Sequence, residues 1–361
     1  MKETERYRNI LVYRMGHLGD TIVALPAFRE IRKRFPDAAI TLLTNADAKN
    51  KNYVAAQSVL PERGLFDEYI AYDNSAGKLK KALIFSRLLL ELRRRRFECV
   101  FYLPTRIRTD RQIERDLRFF RAAGIKKVFG AEYVRQKKLD YALPGPLPKV
   151  EPEYEFLLRC LEFENKANDA KIDHDPALTH AEKAFGRRFL EENCGRGFER
   201  KLLIAVAPGS KWDSKKWFEE RFIEVLEKLC QEYPIHPVIF GGKEDFETGE
   251  RILSKLPCGT NAAGRLGIRE AMAALEFCRL YLGNDTGTMH MAAAVGVPCV
   301  AVFAAIDFEG RWYPFGLRNK AFRISVECEG CHTPFCFNEH ECLERVSAEM
   351  VFEACREILE K

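Results

Sequence analysis

No apolar run in this chain of 361 residues reaches the ~20 residues that a helix needs to span a bilayer, which excludes a protein of membrane-spanning helices. The first residues, MKETERYRNILVYRM, are charged and pass directly into a strand pattern. They lack the layout of a secretory signal, and the cytoplasm is the expected compartment. There is no low-complexity segment and no short internal repeat, which argues against a linker-like or solenoid chain. The first strand leads into "RMGHLGD" and not into a GxGxxG fingerprint, so an NAD-dependent oxidoreductase lacks its phosphate loop. Asp285-Thr286-Gly287 is the triplet that carries the catalytic acid of aspartic proteases. It occurs here without the second copy and the all-β setting that paired carboxylates need.

What is present points to a larger α/β protein. The length exceeds what one core usually supports, so two domains are expected. The net charge of +5 is unevenly placed: residues 78–138 hold 19 Lys/Arg against 6 Asp/Glu, which leaves the rest of the chain acidic on balance. Basic helices commonly present solvated faces. An excess confined to one part of one domain also suits an anionic partner: nucleic acid, a phospholipid surface or a phosphorylated glycan. Of twelve cysteines, Cys99, Cys160, Cys230, Cys278 and Cys299 lie in apolar surroundings and are expected as small core residues. Cys328, Cys331, Cys336 and Cys342 fall within 15 residues, with His332 and His340 among them. Their spacing is not the paired CxxC…CxxC of a zinc ribbon, and structural zinc, disulfides and free thiols all remain open readings.

The first half alternates strand and helix patterns. Strands are predicted at NILVYRM, AAITLLTN, EYIAYD, ECVFYLP and KKVFGA, and helices at DTIVALPAFREIRKRF, AGKLKKALIFSRLLLELRRRRF and DRQIERDLRFFRAAG. Near residues 142–175 the rhythm breaks in a proline-rich stretch and the connector-like KIDHDPALTH. It restarts with LLIAVAPG, WFEERFIEVLEKLCQEY, HPVIFGG, EDFETGERILSKL, IREAMAALEFC, RLYLGND and PCVAVFA, and closes on the helix SAEMVFEACREILEK. Short strands separated by helices predict parallel sheets covered on both faces, in two Rossmann-like, doubly wound α/β domains. The expected division is 1–170 and 171–345, with 346–361 as a C-terminal helix.

Ligands of open parallel sheets gather where strands end and helices begin. Four such junctions carry polar residues. In RMGHLGD, Asp20 either caps a helix or faces a ligand. In APGSKWDSKKW, Ser210 and the lysines 211, 215 and 216 cluster beside backbone N–H groups, as a phosphate site requires. In FGGKED, Glu244 or Asp245 could hold a ribose hydroxyl. In LGNDTGTMHMAAAVG, Thr286 or Asp285 is placed to cap a helix beginning near Thr288, with N–H groups exposed from Gly287 onward and His290 on the ligand side. A catalytic zinc would need more ligands than this last stretch supplies, and a seat for an anionic sugar ligand remains.

The stretches ILVYRMGHLGDTIVALPAFREIRKRFP, APGSKWDSKKW and LGNDTGTMHMAAAVGVPCVAVF together resemble glycosyltransferase family 9, the ADP-heptose:lipopolysaccharide heptosyltransferase family. The resemblance implies a GT-B fold, two Rossmann-like domains facing a cleft, with the C-terminal helix crossing back to the first domain. It implies inverting transfer that needs no cofactor or metal. By position, Asp20 matches the catalytic base, while Ser210 and Lys215 match donor-phosphate contacts. Lys215 is preferred to Lys216 because the family lysine lies two residues before the tryptophan, here Trp217. Asp245, with Glu244 beside it, falls where an acid meets adenosine, and Asp285, Thr286, Gly287 and His290 match the donor-binding motif. FYLPTRIRTDR departs from the acidic-leucine start common in relatives, so the acceptor residues are not carried over. The expected donor is a nucleoside-diphosphate sugar, ADP-heptose, and the expected partner a lipid-linked glycan of lipopolysaccharide type, met at the cytoplasmic face of the inner membrane, with no role for nucleic acid. A non-catalytic protein binding an anionic lipid or nucleic acid is the rival reading; it accounts for the basic segment but not for Asp20, Lys215 or the Asp285 motif.

Overall fold

The computed structural model of the chain describes residues 6–47, 49–50, 53–73, 75–142, 147–163, 172–316 and 318–361. The apolar segments become strands of two all-parallel sheets, one in each of two units. In the first unit β1 (Asn9–Arg14), β2 (Ala39–Ala46), β3 (Glu68–Asp73), β4 (Cys99–Leu103) and β5 (Lys127–Phe129) lie in the order β3-β2-β1-β4-β5. Helices cover both faces of such a sheet, so the central strands read as unbroken apolar runs: Ile10, Leu11 and Val12 are fully buried, as are Val100, Phe101 and Tyr102. The single helix expected after β1 is two, α1 (Leu18–Ile22) and α2 (Leu25–Arg34). Pro26 stands in the first turn of α2, where its missing N–H costs nothing, and cannot sit inside one continuous helix. The long basic helix is α3 (Lys78–Arg95), followed by α4 (Asp110–Ala122), α5 (Ala131–Lys137) and α6 (Glu153–Arg159).

The second unit opens with α7 (His180–Cys194), which the sequence reading passed over although Thr179-x-x-Glu182 spells a capping box. The Thr179 hydroxyl accepts the Glu182 N–H at 3.2 Å and the Glu182 carboxylate accepts the Thr179 N–H at 2.7 Å. Then come β6 (Leu202–Ala207), α8 (Glu219–Glu232), β7 (Ile235–Ile239), α9 (Phe246–Leu253), β8 (Thr260–Asn261), α10 (Ile268–Leu275), β9 (Leu280–Asn284), α11 (Gly287–Ala294), β10 (Cys299–Phe303), β11 (Lys320–Arg323), α12 (Glu341–Glu344) and α13 (Ala348–Leu359). The strand order is β11-β10-β9-β6-β7-β8, a Rossmann order that reverses between β6 and β9. Helix α7 lies tightly on α10: a Cβ on Gly186 would stand 2.7 Å from the Ala273 carbonyl carbon.

The same Glu182 ties α7 to α10 through Arg269 (2.5 Å). Burial pushes its carboxyl up, but the Arg269 guanidinium and the Thr179 donors outweigh it and bring the value down to about 2. A depressed carboxylate stabilises the fold above its unfolded value near 4.5 and loses that contribution as pH falls towards 2. Glu182→Gln is therefore expected to lower Tm by about 1–3 °C near pH 7. That difference should vanish in melting curves recorded as pH approaches 2; a difference that persists there would contradict the ion pair as its source.

The division of the chain is not a single cut at 170/171. The first unit holds Met1–Asp140 and Glu153–Pro176, and the second holds Tyr141–Pro152 and Ala177–Lys361. Backbone bonds explain the crossing: Leu147 N–H donates to the Glu329 carboxylate (2.8 Å) and Val150 N–H to the Glu309 carbonyl (2.8 Å), whereas buried Glu153 faces Arg14 at 3.8 Å. Helix α13, expected to cross back to the first domain, packs within the second unit against α8, β9 and β10. Val351, Phe352 and Cys355 are buried in that core.

Candidate functional site

In the second unit the strand order reverses between β6 and β9, and the loops leaving these two strands carry the residues singled out from the sequence. After β9, Asp285 is buried and its carboxylate forms a close ion pair with Lys215 Nζ. Lys215 ends a 3-10 turn, Asp213–Lys215, and is partly covered, while Lys216 is exposed and leans on Asp213 at 3.8 Å. Of the two lysines it is thus Lys215 that reaches the junction. Helix α11 begins at Gly287 with Thr286 in the N-cap position. The expected cap bond is not made: Thr286 places no side-chain oxygen on the first-turn N–H groups, and Asp285 turns to the lysine instead. The N-terminal turn of α11 therefore has no side-chain cap, which suits an anion. Gly296 ends this helix with φ of 82°, as its position after the small-residue run predicts.

Ser210 follows β6 and its hydroxyl accepts the Trp212 N–H at 3.4 Å. Asp245 lies alongside: its carboxylate accepts the Gly242 N–H at 2.8 Å, and a Cβ on Gly209 would fall 1.9 Å from its Oδ1. The acid nests between two glycines, and burial, with the charge of Glu244, raises its pKa. Glu244 is exposed, so Asp245 is the carboxylate at the β6 and β7 strand ends. His290 is buried within α11, at 3% exposure, with its ring 6.1 Å from that of Trp312.

Sequence reasoning missed Asn284. This fully buried amide accepts the Trp217 N–H (3.1 Å) and donates to the Pro208 carbonyl (2.7 Å), so one side chain joins the strand end, the Ser210 loop and the end of the lysine turn. It also missed Asp307, which accepts from Tyr141 (2.8 Å) and Trp312 (2.8 Å) and pairs with buried Arg311 (3.2 Å). The signal for Asn284 was present: an amide inside an otherwise apolar strand requires buried partners.

In the first unit Asp20 occupies the first turn of α1, where its Oδ2 accepts the His17 N–H at 2.9 Å. Its Oδ1 lies 3.6 Å from Arg14, a buried guanidinium that also holds the Asp20 carbonyl at 3.0 Å and the Pro104 carbonyl at 3.2 Å. Gly16, with φ of 145°, leaves room for the acid, since a Cβ there would stand 2.2 Å from the Asp20 Cβ. Beyond Gly16 opens a cavity of about 600 Å³, lined by Tyr13, Tyr72 and Phe85 and by Lys81, Arg108 and Arg115. Arg108 is braced by Asp116 (3.0 Å) and donates to the Tyr13 hydroxyl (2.7 Å). The lining thus joins aromatic faces to cationic edges at the point where this sheet reverses, between β1 and β4.

Cys99, Cys160, Cys278 and Cys299 are buried core residues, as expected, and Cys230 is half-buried. None of the twelve cysteines is in a disulfide, and among the described residues no three His, Cys, Asp or Glu side chains already stand as a metal-holding group. No described helix is long and apolar enough to cross a membrane.

Residues 120–341 match the sequence model of glycosyltransferase family 9 (heptosyltransferase). Over its whole length the chain is similar to lipooligosaccharide heptosyltransferase 2 of Campylobacter jejuni, 24% identical across 97% of this chain and 98% of that one. It is 32% identical to lipopolysaccharide heptosyltransferase 2 of Salmonella typhimurium over 28% of this chain and 30% of that one. Among solved structures, a family 9 glycosyl transferase from Veillonella parvula superposes with TM-score 0.74 at 21% identity, covering 100% and 99% of the two chains. The Escherichia coli ADP-heptose lps heptosyltransferase II superposes with TM-score 0.64 at 20% identity, covering 98% of each. At these identities the structures speak for the fold: two Rossmann-like units of the GT-B type.

Proposed function

Because the chain belongs to glycosyltransferase family 9, we propose that it moves a heptose from ADP-heptose onto the core of a lipopolysaccharide acceptor, with inversion and without a metal in the reaction. The observation that carries this reading is the Lys215–Asp285 pair beside the uncapped N-terminus of α11. A diphosphate entering there displaces Asp285 as the partner of Lys215, and the released carboxylate accepts hydrogen bonds from sugar hydroxyls. Asp245 accepts from the ribose. Lys215, Ser210 and the helix terminus stabilise the departing diphosphate, the task a divalent cation performs elsewhere.

Asp20 takes the proton of the acceptor hydroxyl as its oxygen attacks the anomeric carbon. Arg14 holds that carboxylate in place. Asp20 belongs to the first unit and the donor residues to the second, so transfer requires the two to bring oxygen and carbon into line and to exclude water, a competing acceptor. The aromatic and cationic cavity beyond Gly16 suits an anionic sugar. The test is a panel of nucleotide sugars with a lipopolysaccharide-core acceptor. Release of ADP coupled to heptose incorporation is the expected result, and a protein that binds the acceptor but releases no nucleoside diphosphate with any donor would be the non-catalytic binder.

The basic segment supports docking on anionic lipid. In α3, Leu88 and Leu92 face the core, but Leu79, Leu83 and Leu90 are 87%, 62% and 65% exposed. At 100° per residue these three fall within one narrow stripe, flanked by exposed Arg87, Arg93 and Arg94. Arg95 is engaged by Glu68 and Glu91 and belongs to the fold instead. Replacing the three exposed leucines by serine is expected to weaken binding to anionic vesicles and raise KM for a lipid-linked acceptor, with donor KM unchanged. Wild-type vesicle binding should also fall with salt, as the Debye length shrinks from ~10 Å at 0.1 M to ~3 Å at 1 M. Unaltered vesicle binding in the serine variant would return α3 to an ordinary solvated face.

A further inference from the structure

The transfer proposed above uses none of Cys328, Cys331, Cys336 and Cys342, which share one segment of the second unit. Gly330, between the first two, donates its N–H to the Ala305 carbonyl at 2.7 Å, and the Ala305 N–H points at Cys342 Sγ, 3.4 Å away. Asn338 joins Cys328 and Cys336: its side-chain amide reaches Cys328 Sγ at 3.5 Å and its backbone N–H reaches Cys336 Sγ at 3.4 Å. A second backbone N–H, that of His340, donates to Cys336 Sγ at 3.2 Å. Amide N–H groups thus already donate to three of the four sulfurs, those of Cys328, Cys336 and Cys342, the outer-shell arrangement that orients sulfur ligands around a metal. A bound divalent ion deprotonates a coordinating thiol outright.

The backbone carries a second sign. Gly330, His332, Glu339 and His340 all have left-handed φ, between 45° and 76°, within eleven residues of chain. Non-glycine residues hold that conformation against steric strain, and keep it where surrounding bonds over-determine it. The spacings x2 and x4 over the first three cysteines fall within those of structural zinc sites. As placed, no three of the side chains form a ligand set. A change of χ1 carries a sulfur by about 3 Å, and Cys328 and Cys331 are exposed, so they can turn without disturbing the core.

We propose that Cys328, Cys331, Cys336 and Cys342 bind one structural zinc ion as a tetrahedral four-thiolate site, and that this ion braces the turn carrying Lys215. Soft sulfur ligands in tetrahedral array suit zinc. The bracing is direct. The Ser214 N–H donates to the Pro334 carbonyl (3.1 Å), its hydroxyl donates to the Thr333 carbonyl (2.5 Å), and His340 lies 3.5 Å from Asp213. The loop between Cys331 and Cys342 therefore grips the Asp213–Lys215 turn from two sides. Zinc in this role takes no part in the bond-making proposed above. The bracing part rests on Lys215 being a donor contact, whereas the zinc part stands alone.

Untagged protein purified under reductant is expected to contain one zinc per chain by elemental analysis. Its four cluster thiols should react with a thiol reagent only after a chelator is added. Cobalt exchanged into the site should give the thiolate-to-metal charge-transfer band and visible absorption of a tetrahedral sulfur site. Cys336→Ser should lose the metal, and Cys331→Ser, at an exposed position, serves if that variant does not fold; Cys258→Ser, outside the cluster, should keep it. Zinc removal with the circular dichroism retained should raise KM for the donor about tenfold. Negligible metal with freely titrating thiols, disulfides among the four, or another metal in stoichiometric amount would each overturn the zinc site. Bound zinc whose removal leaves donor KM unchanged would overturn the bracing alone. A protein that uses no donor at all would leave the metal measurements as they stand and fail the proposed function.

Discussion

Asp20→Asn is expected to lower turnover by roughly 10²–10⁴ while leaving donor affinity and Tm close to wild type. Asparagine is the informative replacement because Asp20 has two jobs to separate. Its Oδ2 accepts the His17 N–H in the first turn of α1, a service that an amide oxygen also performs. It is also placed to remove a proton, which an amide cannot do. Asp20→Ala forfeits both, so it should match the asparagine variant in lost turnover but also melt lower, by the ~1 kcal/mol typical of a lost cap. Arg14 sharpens the comparison, since it holds the main-chain carbonyl of residue 20 whatever the side chain is. Near-normal turnover in a folded Asp20→Asn protein would falsify the base assignment and leave Asp20 as a helix-start residue.

Lys215→Ala should damage donor KM and kcat together, costing on the order of 10²–10³ in kcat/KM, because its charge serves both the bound diphosphate and the departing one. Structure complicates the reading, since the substitution also strands buried Asp285 without its partner. The double variant Lys215→Ala/Asp285→Asn removes that unpaired charge and should recover most of the lost Tm without recovering activity. Lys216→Ala, an exposed control, should behave as wild type. If the double variant regains both stability and turnover, or if Lys216→Ala is the damaging change, Lys215 is an ordinary structural ion pair.

The fold was legible where sequence periodicity coincides with burial. The two rounds of alternating strands and helices stand close to where the apolar runs place them, and the polar ends of β1, β6 and β9 mark the junctions at which the sheets reverse. What was not legible depends on partners distant in sequence. Nothing near Asn284 announces that its amide meets Trp217, 67 residues earlier, and Pro208, 76 residues earlier. Arg14 looks like the polar end of a strand until its carbonyl partners at 103 and 104 are known. Helix α7 is hidden in the sequence because its Thr179 cap lies within KIDHDPALTH, a stretch rich in turn-forming residues. The second-unit edge strand β11 is short and only half-buried, so it carries no apolar run to find.

The crossing of the chain between the two units also has a consequence for the order in which the protein can be made. The first unit is complete once Pro176 has been synthesised, because Glu153–Pro176 supplies α6 beneath α2. The segment Tyr141–Pro152 emerges earlier still, yet its anchors do not exist at that moment: Leu147 waits for Glu329, 182 residues downstream. At about 5–20 residues per second a ribosome leaves that strap unattached for roughly ten to forty seconds. During that interval it must stay looped out while the chain on both of its sides folds as one body. Its prolines suit that wait, since they disfavour helix and strand pairing alike while the proper surface is being built.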